Sequence, residues 1–314
     1  MDEFEQPLKS KDDYLTSIQY IFTMYPSFKN YSKHFVVPFP ADWPGWYYSK
    51  KLVAQGYEIG NIVPEQGPFH VCLNAQEDTV LIFKFFFDRP YQHIFNKELP
   101  QKPKEFRISL CIVAALLGWL LVRKKIMSRF ANCKDHEYTC LLYLLEDVIP
   151  LVFYQYQVFR TGNLDLYFNV MLRMAILFIC WRRRHYEKST LSWLSDADHQ
   201  RSRVPDYWST KLKWLALITE KKVEIWHSLL RAKTESYMAA DQIQSVARVL
   251  ASAGFMADFL EFFCPRYFRG NSQNDLTLMA GKSAEFLVEL FQKVAANAGK
   301  SRQVSVKKGR AKQT

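Results

Sequence analysis

Apolar residues return at helical spacing over most of this chain, but not at its front. After Pro103 they recur every three to four positions across 106–130, 138–160, 163–186, 206–233, 239–263 and 275–297, and each stretch predicts a helix. Clusters of Gly, Pro and polar residues at 132–137, 161–163, 203–205 and 269–274 separate them. Leu191 to Asp198 either extends the third helix or makes a turn of its own. Asp196, Asp206 and Asp275 are predicted N-caps, because a carboxylate there accepts the amide hydrogens that open a helix without partners.

The front has another texture. Residues 34–105 hold eight of the thirteen prolines. Their apolar residues come in short runs, His34–Val37, His70–Leu73 and Thr79–Phe83, which predict short strands. Strands this few do not make a self-sufficient sheet, so the front is expected to pack on the helices. Residues 1–33 read as a lead-in, with Tyr14 to Tyr25 its best helical stretch. The predicted organisation is that lead-in, a small α+β part over 34–105, a helical body over 106–298 and a disordered basic tail over 299–314. The fold class is α+β, predominantly helical. No repeat of solenoid length is visible.

Charge sharpens this picture. The formal net charge is +11, and removing the six basic residues from Lys300 onward leaves +5 on the body. A tail so polar cannot offset its ordering entropy. It could contact nucleic acid, serve nuclear import, or stay solvated. The six cysteines lack paired short spacing, and Cys111 and Cys180 sit in apolar runs, which fits buried thiols in a reducing compartment. The acidic Met-Asp-Glu-Phe-Glu start has no apolar signal core, so an intracellular location, nuclear included, is expected.

Two apolar runs raise the question of a membrane. Ile108–Val122 is shorter than the roughly 20 residues a spanning helix needs. Leu164–Trp181 carries Arg173 near its middle, at a cost on the order of 3 kcal/mol on insertion scales. Core helices of a bundle are the expectation, and a membrane-associated helical protein is an alternative.

Candidate chemistry is sparse. Glu224, His227 and Arg231 share one helical face, while Val223, Trp226 and Leu230 share another. Arg182, Arg183, Arg184, His185 and Lys188 form a basic knot after an apolar run. On nucleic acid its arginines would take phosphates, and Tyr186 and Trp193 would stack on bases; alternatively, the arginines close the preceding helix. Tyr47-Tyr48 with Lys50-Lys51 is a second aromatic–basic cluster. Cys133, His136 and Cys140 supply three of the four ligands a structural zinc needs. No G-x-S-x-G elbow, P-loop or dinucleotide fingerprint is present.

Four strings also carry a resemblance: Pro40-Ala-Asp-Trp-Pro44, Gly67-Pro-Phe-His-Val-Cys-Leu-Asn74, Arg183-Arg-His-Tyr-Glu-Lys188 with Leu191-Ser-Trp-Leu-Ser195, and Glu224-Ile-Trp-His-Ser-Leu-Leu-Arg231. In order and spacing, over roughly residues 35–297, they resemble a widespread domain family of invertebrate and fungal proteins that looks derived from transposable elements. The resemblance implies a relation to transposases with a ribonuclease-H-like core, here degenerate and carrying a helical insertion. In such a core, carboxylates hold two divalent metals that activate the attacking oxygen. Mg²⁺ or Mn²⁺ is therefore the implied cofactor, and DNA or RNA the implied partner. Asp42 would be the first ligand and Glu224 the last, with His227 and Arg231 on phosphate. The middle string offers His70 and no Asp, a departure that implies lost catalysis. The competing expectation is a non-catalytic helical domain with protein partners.

Overall fold

The computed structural model describes residues 7–210, 230–231, 233–235, 237–239, 241–243, 245–246 and 272–310. It is a predominantly helical α+β fold with one two-stranded parallel sheet. The chain divides into two compact units, each built from two stretches: residues 1–73 with 155–266, and 74–154 with 267–314.

The first unit opens with α1 (Lys11–Met24) and α2 (Pro26–His34). Ser10 and Asp13 cap α1 reciprocally, the Asp13 amide donating to Ser10 Oγ at 3.2 Å and the Ser10 amide to Asp13 Oδ2 at 2.8 Å. Then come β1 (Val37–Ala41), α3 (Trp43–Ala54) and β2 (Ile62–Gln66). Parallel strands need a crossover, and α3 supplies it. The register runs from Val37 opposite Ile62 to Ala41 opposite Gln66. Val37 donates to the Asn61 carbonyl and Gly67 to the Ala41 carbonyl, so odd-numbered amides face the partner strand. Pro38, Pro40 and Pro64 therefore put their missing N–H groups on the outer sides, which limits the sheet to two strands. Beneath it, Tyr14, Ile18, Phe22, Leu52, Ile59 and Ile62 form a buried core.

The first unit continues with α9 (Leu164–Cys180) and α10 (Arg184–Arg203), which pack on each other, with α10 also against α3 and β2. The Gln66 amide reaches the hydroxyls of Ser189 and Thr190 in the interior, and Lys50 of α3 pairs with Asp196 of α10.

The second unit contains α5 (Lys84–Phe95), α6 (Glu105–Arg129), α7 (His136–Tyr143), a π-helical turn at Leu144–Val148 and α11 (Ser272–Arg310). Two further helices, α4 (Pro68–Ile82) and α8 (Ile149–Arg160), carry the chain across the unit boundaries. Trp119 of α6 stacks on Phe291 of α11, 5.8 Å between ring centroids, and Tyr138 of α7 meets Phe291 edge-on. Glu146, in the π turn, accepts both Nε and Nη2 of Arg123 at 2.6 Å and the Trp119 indole N–H. Among the described residues α6 is the one helix long and apolar enough to cross a membrane, and 56% of its most apolar window is buried. The burial comes from α11 and α5.

Several expectations are corrected. His70–Leu73 and Thr79–Phe83 are not strands. They fall on α4, apart from Phe83, because Phe69, Cys72, Ala75, Thr79 and Phe83 bury a single helical face. The strands lie instead at 37–41 and 62–66, where proline had weakened the signal. The stretch expected as one helix over 163–186 is two, α9 and α10. Asp196 lies inside α10 and binds Lys50, while Asp206 and Asp275 fall within first turns rather than at caps. Among the described residues, side chains cap helices at Ser10, Asp42, Asp135 and Asn163. The last helix runs on to Arg310, past the expected boundary at 299; the Lys, Arg and Gln residues of this stretch are good helix formers and no proline intervenes.

Candidate nucleic-acid interface

The basic knot owes its position to how α9 ends. Trp181 is the C-cap, and Arg182 adopts φ 56°, the left-handed conformation that usually selects glycine. The Arg183 amide donates back to the Phe178 carbonyl at 2.9 Å and the Arg182 amide to the Ile179 carbonyl at 3.1 Å, the double closure of a Schellman motif. The chain reverses there and α10 begins at Arg184. Arg182, Arg183, Arg184, His185 and Lys188 are all exposed.

Against this turn lies the start of α3. The Asp42 carboxylate accepts the Gly45 amide at 3.0 Å and caps the helix. Pro44 is tolerated in this first turn because its missing N–H would have had no partner there. With the helix started at Trp43, residues 43, 47 and 51 fall on one face. Tyr47 stacks on Trp43 at 4.9 Å between centroids, and Lys51 Nζ sits 4.4 Å from the Tyr47 ring centre. His185 of α10 lies against Trp43 in a tilted ring contact, at 4.6 Å between centroids and 34° between planes. The result is a tier, His185–Trp43–Tyr47–Lys51, with arginines at its histidine end.

Two clusters far apart in sequence are thus one surface. Asp196 is engaged by Lys50, Asp42 by its cap, and Glu187 stands in the first turn of α10. The aromatics expected from sequence to stack on bases, Tyr186 and Trp193, both make packing contacts with α9. Trp193 is 4% exposed and packs edge-on against Tyr167, and Tyr186 lies on Phe178 at 5.4 Å. Trp43 was legible only as i, i+4, i+8 spacing with Tyr47 and Lys51, a pattern that the prolines at 40 and 44 obscured.

The expected metal ligands are less well served. Asp42 is committed to its cap, and its charge adds to burial in raising the Tyr14 hydroxyl to about 12. Glu224 and His227 lie outside the described residues. Of their helical strip, Leu230 is buried and Arg231 exposed, the expected split of faces. His70 is near the start of α4, its ring edge-on to Phe69 at 5.2 Å. Glu65 stands beside Pro40 in the strand register but faces inward at 2% exposure. Burial, then its charge, push the Tyr207 hydroxyl up. Among the described residues no three His, Cys, Asp or Glu side chains, Cys133, His136 and Cys140 included, are gathered closely enough to hold a metal ion. Cys72 and Cys111 are buried thiols as expected, Cys133 and Cys140 are partly exposed, and Cys180 is exposed. No protein-family model, no curated protein and no solved structure matches the chain.

Proposed function

We propose that the chain is a helical nucleic-acid-binding protein that holds its ligand without cleaving it, and that the α3–α10 face of the first unit is the binding surface. The observation that carries this reading is the 4.6 Å contact of His185 with Trp43, which joins the arginine turn to the ring tier. Arginine forks and lysine ammonium groups supply phosphate contacts, and aromatic rings among them give bases a surface. Asp42, the expected first metal ligand, serves α3 instead, which favours binding over hydrolysis. A nucleic-acid partner is also what the transposable-element resemblance leads one to expect.

The test is binding of the full chain to labelled DNA and RNA oligonucleotides between about 50 and 200 mM salt. Affinity should fall linearly on a log–log plot, by roughly 0.7 to 0.9 decades per decade of salt for each phosphate neutralised. Arg184→Glu with Lys188→Glu should weaken binding and flatten the slope. Absence of binding at low salt, or affinity indifferent to salt, would remove the reading. Incubation with Mg²⁺ or Mn²⁺ should produce no cleavage; cleavage abolished by Glu224→Gln would restore the nuclease alternative.

A second reading, a helical protein-interaction domain, draws on α9. Leu172, Ile176 and Ile179 lie along one exposed face of that helix. Sedimentation of the wild type as a dimer and of Ile176→Glu as a monomer would favour it. Monomers in both would leave the α9 face without a demonstrated partner.

A further inference from the structure

Resting on that reading, we infer that the α3–α10 face selects single-stranded nucleic acid, DNA or RNA, over duplex, through stacking of an unpaired base on the outer face of His185.

The tier has two ends, and they differ. At the Tyr47 end the ammonium group of Lys51 covers the ring, so no base stacks there without displacing a cation. At the other end His185 lies on Trp43 with one face and is itself exposed. Being exposed, its ring is where a flat group can extend the stack. The rings behind it fix the imidazole in place, so little side-chain freedom is lost when a base arrives.

The cations surround that same end. Arg182, Arg183 and Arg184 are contributed by the turn that delivers His185, and Lys188 stands one helical turn further on the same side of α10. A phosphate on either side of a stacked nucleotide therefore meets positive charge within a few residues of the ring. Glu187 adds one carboxylate to this neighbourhood, which disfavours a phosphate lying along the inner side of α10.

A duplex uses only half of this arrangement. Its bases are paired and stacked on one another, so it meets the cations through its phosphates and leaves the His185 face without a partner. A single strand uses both parts, because every base has an open π face and a flexible backbone bends to reach the arginines. A purely electrostatic surface would instead favour the duplex, which carries twice the phosphate density. The choice between strand and duplex is therefore a direct reading of whether the rings take part.

The experiment compares the full chain binding to a pyrimidine DNA strand, to the corresponding RNA strand and to a DNA duplex of equal length at one salt concentration. Both strands should bind at least about fivefold more tightly than the duplex, the lower end of what one stacked base contributes. His185→Ala should remove that preference, weakening strand binding by a larger factor than duplex binding. Tyr47→Leu, which leaves every cation in place, should reduce it as well, and unchanged far-UV circular dichroism would establish that both variants fold. Strand binding should also quench tryptophan fluorescence in the wild type more than in Trp43→Phe. Equal or tighter duplex binding, or a strand preference intact in His185→Ala, would overturn this inference while sparing the nucleic-acid reading. Failure of all three ligands to bind at low salt would overturn both. A preference for RNA over DNA, or the reverse, with His185 required in each, would support the inference and identify the source of the strand.

Discussion

Gly118 of α6 and Ser283 of α11 are so close that a Cβ built on the glycine would lie 2.2 Å from Ser283 Oγ and 2.5 Å from its Cβ. The two helices approach through a hydrogen atom, and Ala280 and Ala284 of α11 are buried alongside. Gly118→Ala should therefore destabilise the chain by about 1–3 kcal/mol, the usual range for overpacking. In denaturant the midpoint should fall with little change in slope. Adding Ser283→Gly should restore part of the loss, because the two sites are in contact and their effects are not additive. A fully additive double variant would show that this approach is absent in solution.

Glu146 gives the second unit a pH dependence with a definite sign. Burial works against its charge, but the Arg123 hydrogen bonds, the Trp119 indole and the Arg123 charge together prevail, and its pKa is lowered from the ordinary 4.5. A depressed folded-state pKa means that the stabilisation is complete above the unfolded-state value and is lost as pH falls through the folded one. Glu146→Gln should accordingly melt below the wild type at pH 7, with the gap narrowing as the pH drops through 4 and below. A gap unchanged between pH 7 and pH 3 would contradict the ion pair.

Arg182 separates stability from binding. A non-glycine residue in the left-handed region costs roughly 1 kcal/mol, and nothing in the Schellman closure needs its side chain. Arg182→Gly should raise the thermal midpoint while lowering affinity for nucleic acid and reducing its salt dependence by about one phosphate. A variant both more stable and equally tight in binding would show that this arginine is not part of the surface.

Asp42 distinguishes a cap from a catalytic ligand. Asp42→Asn keeps a side-chain oxygen for the Gly45 amide and should be nearly neutral for folding, whereas Asp42→Ala should cost about 1 kcal/mol. Asp42→Asn should alter binding by no more than the small change in local charge implies, whereas Asp42→Ala, which loosens the start of α3 that carries Trp43, should weaken strand binding as well. If Asn and Ala variants prove equally destabilised, the capping assignment is wrong.

The helical body was legible because its apolar periodicity is long. Phe106 to Met127 repeats the helical period over several turns, and only burial on one face explains such a run. The strands were obscured because their prolines, placed by the register on the outer sides, look in sequence like loop residues. The α9–α10 break was missed since its left-handed residue is arginine rather than glycine, so no composition cue marks it. Of the interface, the arginines and the Tyr47–Lys51 cluster could be read locally. Their union could not, because it depends on Asp42 starting α3 in the phase that turns Trp43 toward His185. The pairing of α6 with α11 was equally invisible, as no local pattern tells an apolar face which distant helix will cover it.

That pairing also sets the order in which the molecule can be completed. On the ribosome, α6 emerges well before the residues of α11 that bury it, and at ordinary elongation rates the wait is roughly ten to thirty seconds. During that interval the face bearing Gly118 and Trp119 has no native cover from α11. The second unit should thus mature only after its C-terminal stretch has left the ribosome, so ribosome-bound nascent chains stalled before residue 272 should engage chaperones that the released chain does not.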